Sequence, residues 1–274
     1  MESHFQDAPD YGFSIPRVFT RAFATIAGNP GAALGIAFLF GALPMMGYHY
    51  LENAWPEVTS VTITPGQPTP MPPHFWPHLL YALGILVLNS VIGTVVQGAF
   101  APLVLAQDAR RRLSSGEVAV FGFSALVPLI LLGLVIGVVV IAASLFLLIP
   151  GIIISLIWAV AAPALVIEHC GIRAALARSR MLTAGARVRI LVIMLVIGGV
   201  AIGCDLLADR LAGNYYGSAD GLFGSGVSIG YLVTKLVGDT AVTLFIAAMI
   251  GALYVELRNW KDSTPTDALI EIFA

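Results

Sequence analysis

The 274 residues are 58% hydrophobic and 11% charged, with mean hydropathy +0.90 and net charge −2. Soluble domains carry about a quarter charged residues, so this composition excludes a soluble globular fold and indicates an integral membrane protein. The near-neutral charge names no partner, and Cys170 and Cys204 form no CxxC or Cys/His metal spacing.

Residues 1–13 read as a disordered tail with no signal-peptide pattern. Ser14 is placed to cap a helix with Pro16 in its first turn. Ile15, Val18, Phe19, Ala22, Phe23 and Ile26 then recur at helical spacing, with Arg17, Thr20 and Arg21 opposite. This predicts an amphipathic helix over 14–28, lying on the inner leaflet. Gly28-Asn29-Pro30 stops it, and a first span follows over about 31–50.

The loop 52–77 holds prolines at 56, 65, 68, 70, 72, 73 and 77, so it cannot be a continuous helix. Alternation over 58–64 predicts a short strand. His49, His74 and His78 fall near this loop and read as solvated, not as a metal site. A second span is expected over about 79–106. Its Asn89, Ser90, Thr94 and Gln97 are placed for hydrogen bonds between helices, or alternatively for a polar pathway.

Residues 118–167 carry no charge. One helix of that length would run about 75 Å, more than twice the bilayer core. Two spans, about 119–147 and 150–168, are therefore expected, with the turn at Pro150-Gly151. Gly171 then turns the chain into an interfacial helix over 172–184. Glu168 is expected to clasp Arg178 or Arg180. Arg173, Arg178 and Arg180 are placed to reach anionic headgroups, at about 1 kcal/mol each.

The fifth and sixth spans are expected over about 188–208 and 229–256, with a cytoplasmic tail over 262–274. Counting inward from Arg189 puts Asp205 about 24 Å up, and counting from Glu256 puts Asp239 about 25 Å up. Asp205, Asp209, Arg210, Lys235 and Asp239 are therefore expected to form one intramembrane polar cluster. Charges inside a bilayer are costly and point to function. Gly31/Gly35, Gly133/Gly137 and Gly199/Gly203 are GxxxG pairs suited to close helix packing. The predicted fold is thus an all-α integral membrane protein with six transmembrane helices plus interfacial amphipathic helices. Twelve of the 14 Lys and Arg residues fall on one side of it, which predicts cytoplasmic termini.

The stretch "LLIPGIIISLIWAVAAPALVIEHCGIRAALARSRMLTAG" resembles the core of the glycerophosphoryl diester phosphodiesterase membrane-domain family, together with the related YciC-like inner-membrane proteins. The likeness rests on the Leu-Ile-Pro-Gly turn, Pro163, Glu168, then Ala175, Leu176, Arg178, Ser179, Leu182, Thr183 and Gly185. It implies a helical, multi-pass inner-membrane protein. Some members carry a soluble phosphodiesterase domain. None lies within this sequence, so no phosphodiesterase activity is expected.

No catalytic, cofactor or metal motif is present in the sequence, and no pattern suited to nucleic acid. The expected partners are membrane lipids and a membrane protein or a second copy. The first reading is a non-enzymatic scaffold or accessory protein in envelope or lipid physiology. The alternative is a transporter or lipid-handling protein with an outward-facing polar site near Asp239. That alternative requires a polar cavity linking Asp239 to Asn89 or Gln97, whereas a scaffold requires none.

Overall fold

The structure is a computed structural model that describes residues 12–54, 75–108, 123–212 and 229–262. The regular structure among these residues is entirely helical. α1 (Ile15–Gly28) is the expected amphipathic helix. The first span runs through α2 (Pro30–Ile36), a π-helical segment (Ala37–Ala42) and α3 (Leu43–Ala54). The second is α4 (Phe75–Asp108) and the third α5 (Leu126–Phe146). The fourth is α6 (Leu148–Ile157) followed by α7 (Ala161–Ile167). α8 (Ile172–Thr183) is the short basic helix. α9 (Arg187–Ala212) and α10 (Ile229–Asp262) are the fifth and sixth spans. Six helical segments are thus long and apolar enough to cross a membrane.

Span six is the central column. From Ala247 to Leu257 every residue of α10 is buried, which a helix achieves only when neighbours surround it. α1, α4, α7, α8 and α9 all pack on α10. The outward faces of the other spans are apolar and exposed, as at Leu34, Phe38, Leu131, Val138 and Leu195. Such faces suit a hydrocarbon solvent.

Prolines explain the departures from ideal helix. Pro44 has no N–H and crowds the carbonyl four residues back, at Phe40, where the first span opens into the π segment. Pro163 acts in the same way on span four. Its helix breaks at Trp158–Val160, a discontinuity the sequence reading did not anticipate. The hairpin between spans three and four also turns earlier than expected. Leu147 is extended, and Pro150-Gly151 lies inside the first turn of α6. Proline is tolerated there because first-turn N–H groups have no helical partner. Gly151 has a separate task, since a Cβ there would collide with Ser144.

Ser14 stands at the N-cap position of α1, but its side chain makes no capping bond. Of the stretch expected as a tail, Gly12 and Phe13 are described, and Phe13 is buried edge-on to Trp260. The strand expected over 58–64 and the tail from 263 lie outside the described residues.

Candidate functional site

The bundle's charged groups fall into two sets. At the arginine-rich end, Glu256 is almost wholly buried and accepts from Arg17 Nε at 2.9 Å and Arg21 Nη1 at 3.0 Å. The Ser14 backbone N–H donates to the same carboxylate at 3.2 Å. This clasp seals α1 onto span six, and it joins residues too far apart in the chain for local spacing to reveal.

The second clasp was expected, and the structure selects Arg178 as the partner. Arg178 Nε donates to Glu168 Oε1 at 2.7 Å, and its Nη2 donates to Asp262 at 2.6 Å. The Tyr254 hydroxyl adds a third bond, donating to Glu168 at 2.9 Å. Burial works against the Arg178 charge, yet its bonds to Glu168 and Asp262 hold its pKa above the ordinary value. Arg173 and Arg180 are exposed and stand outside the clasp.

The elbow turns at His169, which takes a left-handed φ of 47°, and not at Gly171, which is extended. Among the described glycines, the one with positive φ is Gly185, one residue beyond the C-cap of α8. α8 also repairs the break in span four. Ser179 Oγ donates to the Ile157 carbonyl at 2.8 Å and accepts from the Val160 N–H at 3.3 Å. Thr183 Oγ1 donates to Ile157 as well, at 3.3 Å. An interrupted helix leaves backbone groups unpaired, and inside a bilayer each costs several kcal/mol. Arg178, Ser179 and Thr183 therefore hold the elbow together.

The Cys170 thiol sits beside this clasp. Its pKa is pushed up, first by burial and then by the Glu168 charge. Only the thiolate is nucleophilic, so Cys170 is expected to alkylate slowly at pH 8. Glu168→Gln removes the raising charge and leaves Arg178, which lowers the pKa. Faster maleimide labelling of Cys170 in that variant is expected, and an unchanged rate would contradict the arrangement.

At the opposite end the expected five-residue cluster is divided. Lys235 Nζ, nearly buried, donates to Asp205 Oδ1 at 2.7 Å, joining spans five and six. Asp239 instead faces span one, where His49 Nε2 lies 3.1 Å from its Oδ2. Arg210 is exposed and makes no ion pair among the described residues, and the Asp209 side chain is not described. α10 presents Lys235 and Asp239 one turn apart, yet Lys235 reaches α9 and Asp239 reaches α3. His49, expected as a solvated loop residue, is buried. It packs against Tyr48 and edge-on to Tyr231.

Asp239 also opens into a cavity of about 190 Å³ between spans one, two and six. Its polar lining is Asp239, Asn89, Gln97 and Thr243, and Ile92, Val96, Val242 and Ile246 form apolar walls. The π segment brings Gly41 against Thr243, where a Cβ would collide. A second opening comes from Gly93, whose Cβ position meets only Gln97 Nε2 at 3.8 Å. The volume is well above the roughly 10–15 Å³ that a single water needs. Among the described residues, no group of three or more His, Cys, Asp or Glu side chains is arranged to hold a metal. The cleft holds one carboxylate, two amides and a hydroxyl, a set chemically able to orient a polar guest. Comparison with protein-family models, with curated proteins and with solved structures gives no match.

Proposed function

We propose that the protein binds and handles a lipid-derived or other amphiphilic solute in the cleft between spans one, two and six. The carrying observation is that one cavity joins Asp239 to both Asn89 and Gln97, the arrangement a transport or lipid-handling role requires. Asp239, Asn89 and Gln97 recognise the guest, and the apolar walls hold its body. The protein is a non-enzymatic member of the phosphodiesterase membrane-domain and YciC-like group and resides in the inner membrane with both termini cytoplasmic. Arg173 and Arg180, exposed on α8, contact anionic headgroups there.

A scaffold or accessory role, with a membrane-protein partner or a second copy, is the second reading. The two carboxylate–arginine clasps favour it, because they fix the interfacial helices on the bundle. The test is mass spectrometry of molecules that co-purify in nanodiscs. A defined lipid or solute retained by the wild type and lost in Gly93→Leu, which fills the cleft, is the expected result. Bulk lipid alone in both samples would favour the scaffold.

A further inference from the structure

The cleft has a charge and a length, and together they describe its occupant. Among the described residues, Asp239 is its one charged lining residue. His49 engages Oδ2 of that carboxylate, and no described residue hydrogen-bonds Oδ1. Lys235, one turn earlier, is directed to Asp205 on α9. The charged group that the lining offers is thus an acid, and the complementary guest is a cation.

Length separates an organic cation from a bare ion. Asn89 and Gln97 are eight residues apart on α4, and Asp239 and Ala247 are eight apart on α10. Both pairs line the cleft, which therefore extends about 12 Å along the helices. A metal ion at Asp239 could not reach Gln97. Between the polar ends the walls are Ile92, Val96, Val242 and Ile246, with the Thr243 hydroxyl among them, and they suit methylenes better than a hydrated ion.

We propose that the cleft takes an elongated organic amine, its ammonium at Asp239 and Asn89, its apolar body against these walls and its polar far end at Gln97. This rests on reading the cleft as a binding site and names the class of its guest.

The test is calorimetric titration of the full chain in nanodiscs, with empty nanodiscs as the partition control. The probes are a linear eight-carbon amino alcohol, the neutral octanediol and the short ethanolamine. The amino alcohol is expected to bind saturably, and each comparison compound roughly tenfold more weakly. Asp239→Asn should weaken the amino alcohol by about tenfold and leave the diol unchanged. Gln97→Leu should weaken the long amine and spare ethanolamine. Equal binding of diol and amine, or full affinity in Asp239→Asn, overturns the proposal. Failure of every amine while a co-purified molecule is still lost from Gly93→Leu overturns the amine and leaves the cleft as a site. Failure of both overturns both.

Discussion

Replacing Glu256 by alanine is expected to release α1 from the bundle and destabilise the protein by about 3 kcal/mol. Removing one member of a buried ion pair costs about 3–5 kcal/mol, because the remaining charge loses its partner. The lower end applies because the Arg17 side chain is 48% exposed and can return to water. Arg21, at 20% exposure, carries more of the loss. The release has a local signature: trypsin should cut after Arg17 and Arg21 in the variant and spare both in the wild type. Equal protection in both proteins would show that the apolar face of α1, through Val18 and Ala22, suffices to dock it.

Gly133→Val is expected to be similarly disruptive, at about 3 kcal/mol, the upper end for overpacking. A Cβ on Gly133 would lie 2.6 Å from Val91 Cα and 3.1 Å from the Ser90 carbonyl oxygen. Both are backbone atoms, so no rotamer change relieves the clash. The Ser90 hydroxyl also donates to the Gly133 carbonyl at 2.9 Å, and that bond would be displaced. Gly199→Val is the control, since nothing lies within 4 Å of its Cβ position. Thermal unfolding should be lowered clearly for Gly133→Val and little for Gly199→Val. Equal shifts would contradict the packing of α4 on α5.

The same comparison shows what a GxxxG spacing conveys. Of the three pairs within the expected spans, only Gly133/Gly137 meets a neighbouring helix. Gly31, Gly35, Gly199 and Gly203 have open space. A spacing states that a helix can be approached, not that another helix approaches it. The spans were readable because apolar run length is set by bilayer thickness and needs no tertiary information. The Glu168–Arg178 clasp was readable because ten residues and one elbow separate its members. Glu256 was not, because Arg17 and Arg21 lie 239 and 235 residues away.

His49 illustrates a different failure. Its position at the end of span one suggested solvent, and only its contact with α10 shows it to be Asp239's partner. The polar residues of the cleft were identifiable singly. Their convergence required the π segment, the close approach of Gly41 to Thr243, and the open space beside Gly93. None of these follows from periodicity. The stretch that carries the resemblance forms span four and the elbow, where Glu168, Arg178, Ser179 and Thr183 make structural bonds, and none of it lines the cleft.

A binding role requires that the cleft between spans one, two and six be occupied. A cryo-electron microscopy map of the protein in native-lipid nanodiscs tests it most directly. Ordered non-protein density running from Asp239 and Asn89 to Gln97 is expected in the wild type and absent in Asp239→Asn. A cleft closed by its own side chains, or filled by the same featureless density in both proteins, would contradict it.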